Sequence, residues 1–481
     1  MNFKNPPSVL LITVDCLRPD HLGCYGYSRP TSPCIDDIAK RSAVFTQAIS
    51  QGTYTVSSLT TMATSSYLFE HYLSENVLGV ELNPSIPTLA EIFKKNGYDT
   101  AFFGPWMAAN IKDFNRGFDA FDLGTMGLSR YFFGGLKRLT SGRYDPGSAE
   151  ALTSKAIRWM QKKSGKPFFL WLHYFDAHAP YRPRPPYNRM FVGDGLGTGQ
   201  GRKPFVASRF LGAGGIPRFI SERGISDVDH YIAKYDGAIR YVDGQIGRLS
   251  SFLKKRGLYE NSAIALTSDH AEYLGEHDLY FCHGGLPLDT LIRVPLIIKP
   301  PAGAPEGALT IDRQVQSLDI TPTLLGIAGI KHSTPFKGQD ISCVFRGEKL
   351  ADDTGVFFWA RHIAALRTPA FKLILLDRDR IIARLGSARS AKPTQRSRKW
   401  KTVFPFQLEY LYKEGIPASI FYDLANDGAE VSPKIDRPQE AEGLYPALND
   451  WKGRVSELRG GPSEHFSREV REKLKSLGYI Q

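Results

Sequence analysis

The chain contains no apolar run near the ~20 residues that a membrane-spanning helix requires, which excludes a spanning protein. The short run Val9–Val14 stops at Asp15 with no small-residue cleavage site behind it, so it does not read as a secretory signal. A soluble, cytoplasmic protein is the expectation. Cysteine is scarce: Cys16, Cys24, Cys34, Cys282 and Cys343 are odd in number and show no CxxC spacing, against both a disulfide framework and a cysteine zinc site. No repeat of fixed period is present. The glycines between Gly193 and Gly215 are not followed by Gly-Lys-Ser/Thr, so they make no phosphate-cradling loop.

What is present is ordinary in bulk. The 42% apolar and 23% charged fractions are those of a globular protein. At 481 residues the chain exceeds what one core holds, roughly 250–300 residues. We expect a catalytic domain over 1–345, carrying an exposed Gly/Arg-rich insertion at about 191–215, and a smaller α+β subdomain over 346–481. The net charge of +12 is mostly local, since nine basic residues stand against Asp379 alone between Arg378 and Lys401. That reads as a solvated loop or a rim attracting an anion, and no nucleic-acid partner is expected.

The apolar patterning alternates strand and helix. Val9–Val14, Thr100–Phe103, Phe168–Phe175, Ser262–Thr267 and Val294–Ile298 read as buried strands. Helices are expected after Ile86-Pro87-Thr88, over Ala151–Lys163, over about Asp227–Arg256 and over Leu318–Ile327, with a last one at Ser467–Leu477. Such alternation means an α/β fold, a mostly parallel sheet flanked by helices. Ligands in these sheets bind beyond the carboxyl ends of the strands. Asp15 ends the first strand, Asp176 and His178 follow Phe175, and Asp269 and His270 follow Thr267. Carboxylate oxygens with imidazole nitrogens suit Zn²⁺, Mn²⁺, Mg²⁺ or Ca²⁺. A fourth element, Gly52–Ser66, places Thr53 and Thr55 ahead of Ser57 and Ser58, a pair able to cap a helix whose N-terminus favours an anion.

Ordered motifs then resemble the sulfatase family of the alkaline-phosphatase superfamily. They are Val14-Asp-Cys-Leu-Arg-Pro-Asp-His-Leu-Gly-Cys-Tyr-Gly-Tyr27, Thr267-Ser-Asp-His-Ala-Glu-Tyr-Leu-Gly-Glu-His277, His283-Gly-Gly, Arg293-Val-Pro-Leu-Ile-Ile298 and Asp319-Ile-Thr-Pro-Thr-Leu324. The resemblance implies a divalent metal held by Asp15, Asp269 and His270 together with Thr55, which falls at the nucleophile position. It also implies substrate or leaving-group contacts from His178 and His283. Asp176 is left between a second-metal ligand and a group orienting His178. Asp20, His21 and Arg18 read as structural, His277 as a loop residue, and His71, His173, His230 and His332 as structural or exposed.

The departures from the family shape the functional expectation. Thr55, Ser57 and Leu59 stand where formylglycine enzymes have Cys-x-Pro-x-Arg, so no formylglycine can form. Cys16 replaces the second aspartate, and Gly104-Pro-Trp106 lacks the family's lysine. Mn²⁺ or Zn²⁺ fits this donor set best, with Mg²⁺ and Ca²⁺ as alternatives. The expected activity is a metal-dependent hydrolysis or transfer of a phosphate mono- or diester, on a small anionic substrate, through Thr55. Two other readings stay open: a sulfuric ester hydrolase without formylglycine, and a catalytically silent binding protein. Oligomeric state is not readable.

Overall fold

The computed structural model describes residues 6–71, 80–105, 108, 110–124, 147–163, 165–193, 205–208, 212–222, 225–303, 307–350, 355–360, 362–383, 412 and 415–459. The core of the insertion, most of the basic stretch and the expected Ser467–Leu477 helix lie outside these residues.

One face-to-face layered sheet organises the chain. Its strands are β1 (Ser8–Val14), β2 (Ala43–Ile49), β3 (Asp99–Pro105), β4 (Ala120–Gly124), β5 (Phe168–Tyr174), β6 (Ser262–Thr267), β7 (Arg293–Lys299) and β8 (Leu309–Gln316). The spatial order is β8-β2-β7-β6-β1-β5-β3-β4. Only β7 runs antiparallel to its neighbours, so the sheet is mostly parallel, as the patterning predicts.

Both faces of the central strands are buried, which is why they read as continuous apolar runs rather than alternating ones. Leu10, Ile12, Leu170 and Leu172 share one core with Ile239, Val242 and Ile246 of the helix α5 (Val228–Lys255) and with Leu152 and Met160 of α4 (Ala149–Gln161). Val9, Leu11, Phe169 and Trp171 face the other way. They meet Leu59 and Met62 of α2 (Thr55–Thr64), Phe93 of α3 (Leu89–Lys95) and Leu324 of α6 (Ile320–Ile327). Short α1 (Pro33–Ala39) completes the first layer. Thr88 caps α3 in a full capping box with Glu91.

Helix α2 corrects one expectation. Ser57 and Ser58 lie inside the helix rather than at its cap, because Tyr54 is the N-cap and Thr55 the first helical residue. The segment tolerates burial because its hydroxyls bond backward along the helix, Thr60 to Val56 O at 2.9 Å and Thr64 to Thr60 O at 2.9 Å, satisfying polar atoms that would otherwise be costly inside.

A separate antiparallel sheet follows: β9 (Val356–Ala360), β10 (Ile363–Arg367), β11 (Phe371–Leu376), β12 (Ser419–Asp423) and β13 (Lys434–Ile435), in that order, with α7 (Tyr445–Arg459) on one side. Its other side packs on Leu286, Leu288 and Leu291 of the main domain. A buried ion cluster joins the two. Lys372 Nζ lies 2.6 Å from Asp289 Oδ1 and 2.9 Å from Pro287 O, while Arg367 Nη2 lies 2.7 Å from Asp289 Oδ2. No helix among the described residues is long and apolar enough to cross a membrane.

Breaking a buried ion pair costs about 3–5 kcal/mol, because the surviving charge stays desolvated. Asp289→Ala strips the shared acceptor, leaving Lys372 with Glu430 at 2.5 Å and Arg367 with only the amide oxygens of Gln314 and Gln47, so its urea unfolding midpoint should fall by up to that equivalent. A midpoint matching wild type would show that the cluster does not hold the sheets together.

Candidate metal and active centre

The carboxyl ends of β1, β5 and β6 deliver the site, as expected for this topology. Asp15, Cys16, Asp269 and His270 are each fully buried, and Thr55 is 2% exposed. His178 and His283 are partly exposed above them.

Backbone strain and its restraint set the floor. Cys16 has φ of +61°, a left-handed conformation that costs a non-glycine residue of order 1–3 kcal/mol. Neighbours hold the turn in place. Tyr235 Oη of α5 donates to Cys16 O at 2.7 Å and accepts from Arg18 N at 3.0 Å. Ser268 Oγ accepts from Leu17 N at 3.0 Å, and Asp269 Oδ1 accepts from Cys16 N at 3.3 Å. Ser50 Oγ donates to Asp269 O at 2.6 Å, tying the end of β2 to that of β6. Gly52 gives close clearance just before α2, where a Cβ would lie 2.3 Å from Ser58 Oγ and 3.0 Å from Ser58 N.

The polar atoms then converge. Thr55 Oγ1 donates to Asp15 Oδ2 at 3.1 Å and lies 3.5 Å from His270 Nε2. His270 Nε2 is 3.5 Å from Asp269 Oδ2 and 3.8 Å from Asp15 Oδ1. The His270 Nδ1–H donates to Ala271 O at 2.9 Å, so in the neutral ring Nε2 is the lone-pair nitrogen facing two carboxylates. Against burial, Asp269 and Asp15 raise the imidazole above its ordinary value, which shows how strongly this space favours positive charge. Asp269 Oδ2 is buried without a hydrogen-bond partner. An unpaired carboxylate oxygen and a bare imidazole nitrogen in one dry space fit a divalent cation. Burial alone would push Asp15 up, but the imidazoles of His178, His173 and His270 hold its carboxyl well below the usual range.

Two histidines line the mouth, their rings edge to face with centroids 4.9 Å apart, and His283 lies 4.5 Å from His270. His178 Nδ1–H donates to Ala179 O at 2.6 Å. His283 Nδ1–H donates at 3.0 Å to Glu272 Oε1, and Tyr181 Oη donates at 2.8 Å to Glu272 Oε2. Burial would raise Glu272, yet its bond from His283 and the nearby imidazoles keep it below the ordinary glutamate value. Cys16 Sγ sits among them, 3.1 Å from Asp15 Oδ1 and 3.7 Å from His283 Nδ1.

All six residues singled out in the sequence — Asp15, Thr55, His178, Asp269, His270 and His283 — therefore meet in one place. The structural reading of Arg18 and His21 also agrees with their contacts: Arg18 pairs with Asp20 at 2.6 Å and Glu276 at 2.7 Å, and His21 with Asp236 at 2.6 Å. Asp176 accepts from Ala149 N at 2.8 Å, at the start of α4. Of the two readings of His173, structural or exposed, it is the buried one: it lies at the end of β5 with Nδ1 2.8 Å from Thr13 Oγ1 and Nε2 3.6 Å from Asp15 Oδ2, a proximity to the site that the sequence did not signal. Glu272 was also missed, although its position two residues after His270 in a strand-end loop was the available signal.

Comparison with known proteins agrees with this architecture. The family model described as Sulfatase matches residues 7–330. The chain belongs to the sulfatase family. Members of this family are ester hydrolases of the alkaline-phosphatase superfamily and are generally metal-dependent. The sulfatase-family chain is 27% identical over 354 residues to an ulvan-active sulfatase of Formosa agariphila, covering 70% of this chain and 64% of that protein. It is 29% identical over 193 residues to the multifunctional alkaline phosphatase superfamily protein PehA of Trinickia caryophylli, covering 36% of each. The alignments thus span less than two thirds of either relative. Among solved structures, the phosphonate monoester hydrolase of Agrobacterium radiobacter superposes with a TM-score of 0.65 at 22% identity, over 94% of this chain and 95% of that one.

The Glu272 contacts generate a prediction. Glu272→Ala leaves the Tyr181 hydroxyl and the His283 ring without their acceptor, and should lower turnover about 10–100-fold, as loss of an orienting partner does. The loss should be larger for an alkyl ester than for a p-nitrophenyl ester, whose leaving group needs little proton donation. Equal losses on both would rule out an effect through His283.

Proposed function

We propose that this sulfatase-family enzyme cleaves or transfers a phosphate ester, mono- or diester, with Thr55 as nucleophile. The observation that carries the reading is Thr55 itself. It opens α2, donates to Asp15 and lies beside His270, and a threonine cannot be converted to the aldehyde that formylglycine sulfatases use.

Asp15, Asp269 and His270, with the Thr55 hydroxyl, would hold the cation; Mn²⁺ or Zn²⁺ suits a set of two carboxylates and an imidazole. Bound there, a cation would supply Lewis acidity to the hydroxyl and positive charge to the substrate oxygens. Asp15 Oδ2, which accepts from Thr55 Oγ1 at 3.1 Å, would orient the hydroxyl and receive its proton as the oxygen attacks. Thr55 Oγ1 forms a bond to phosphorus, the ester P–O bond breaks, and the departing oxygen takes a proton from His178 or His283. Water or an acceptor alcohol then releases the phosphoryl group from Thr55. The N-terminus of α2 adds partial positive charge at the phosphate.

Charge favours phosphate over sulfate. A phosphate monoester carries close to two negative charges at neutral pH, as a second pKa near ~6 implies, whereas a sulfate ester carries one. A divalent cation with two imidazoles opposes the larger charge better. The sulfate reading keeps its own support, since relatives such as the ulvan-active sulfatase bear that name.

Asp269→Asn should lose stoichiometric metal, measured by elemental analysis, while keeping the fold. Thr55→Ala should lose several orders of magnitude in kcat, about what removal of a covalent nucleophile costs. Near-normal turnover in Thr55→Ala would mean that water attacks directly. In a screen of matched aryl esters, the phosphate or phosphodiester should exceed the sulfate in kcat/KM; the reverse order would establish the sulfatase reading.

A further inference from the structure

We infer that His173 is an additional ligand to the cation held by Asp15, Asp269 and His270. The inference rests on the reading of those residues as a cation site and adds to it a donor from a different strand.

For the neutral His173 ring, the form a cation would require, the hydrogen-bond geometry fixes which nitrogen carries the proton. Thr13 Oγ1, its partner across β1 and β5, makes contacts to Leu172 O at 3.3 Å, His173 Nδ1 at 2.8 Å and Trp171 Nε1 at 3.1 Å. A carbonyl oxygen can only accept and an indole N–H can only donate. All three contacts become hydrogen bonds only if the hydroxyl donates to Leu172 O and accepts from both Trp171 Nε1–H and His173 Nδ1–H. His173 Nε2 then bears a lone pair.

That lone pair points into the floor of the site. His173 is fully buried, and its Nε2 has no hydrogen-bond partner. At 3.6 Å from Asp15 Oδ2 it is too far for a hydrogen bond, and a lone pair facing a carboxylate is unfavourable with nothing between. The same holds for Asp269 Oδ2, the other buried atom here without a partner. Ligand atoms of Asp15, His173 and Asp269 lie within 4.8 Å of one another, a separation that one cation spans. The Thr13–His173 bond plays the part of the outer contact that fixes tautomer and ring orientation in metal-binding histidines. His270 stands outside that trio, with its Nε2 3.5 Å from Asp269 Oδ2 and 3.8 Å from Asp15 Oδ1. A cation drawing both imidazoles onto the two carboxylates would be Zn²⁺ or another transition ion rather than Ca²⁺, which prefers oxygen alone.

The test uses Zn²⁺ alone and the full-length protein. X-ray absorption at the zinc edge of wild type loaded with one equivalent should fit two imidazoles, and His173→Gln should fit one. In competition with a chromophoric chelator, His173→Gln should bind Zn²⁺ weaker by at least the ~10–100-fold that loss of an outer-shell partner costs. The wild-type spectrum needs no variant to fold. A wild-type fit of one imidazole overturns the inference, even if His173→Gln binds weakly, because His173 would then act only by holding Asp15. Unchanged affinity in the variant overturns it as well. Absence of stoichiometric Zn²⁺ in wild type overturns both this and the cation site beneath it, so the two failures are distinguishable.

Discussion

Two carboxylates share a dry space at the edge of the central sheet, and that constraint governs the rest of the molecule. Asp15 and Asp269 are both fully buried and both offer oxygens to the same volume. At such separations two like charges repel by about 3–4 kcal/mol at an effective dielectric near 20, and each has also lost its water. A cation would remove that cost. The arrangement is unfavourable as a structural core and favourable as a place to bind positive charge, which is the usual sign that a fold has set aside stability for chemistry.

Holding that arrangement takes elements distant in sequence. The left-handed turn at Cys16 is kept by Tyr235 from α5 and by Ser268 and Asp269 from the end of β6. The Thr55 hydroxyl is placed by the first turn of α2, whose buried hydroxyls bond back to its own carbonyls. The antiparallel C-terminal sheet contributes from below. It packs on Leu286 and Leu288, and its Lys372 and Arg367 clasp Asp289, in the segment just after His283. The loop that carries His283 is therefore braced on one side by Glu272 and on the other by this second sheet. Gly284 lets it turn tightly there, with φ of +85° and no room for a Cβ beside Tyr54.

Chemistry at the mouth differs from that of the floor in exposure. His178 and His283 are partly open while the metal-type donors beneath are sealed. A substrate entering from solvent would meet the two imidazoles first and the cation and Thr55 last. This order suits an anionic ester whose leaving group faces outward, and it holds for either a phosphorus or a sulfur centre. The sulfatase scaffold thus leaves the choice of ester to the nucleophile and the charge balance rather than to the fold.

The central strands were legible in the sequence because burial on both faces makes them uninterrupted apolar runs: Val9–Val14 and Ser262–Thr267 emerge nearly residue for residue. Asp15, Asp269 and His270 were legible because a metal-type residue directly after such a run falls at the ligand-binding edge. Strands β2 and β8 were not, since Thr46, Gln47 and the half-exposed start of β8 break the apolar pattern; β8 becomes a strand by pairing with β2, and β2 by pairing with β8 and β7. The Ser57/Ser58 cap was misplaced because local hydroxyl chemistry cannot tell the start of a helix from its first turn. His173 shows the limit most clearly. Within its own strand it reads as one polar residue in an apolar run, with no ligand-spaced companion. Only pairing with β1 sets Thr13 against its Nδ1 and Asp15 before its Nε2. The sequence determined which residues are of a type that can bind charge; the register between neighbouring strands decided which of them stand together, because distances of a few ångströms between residues 158 or more positions apart exist only once the sheet has formed.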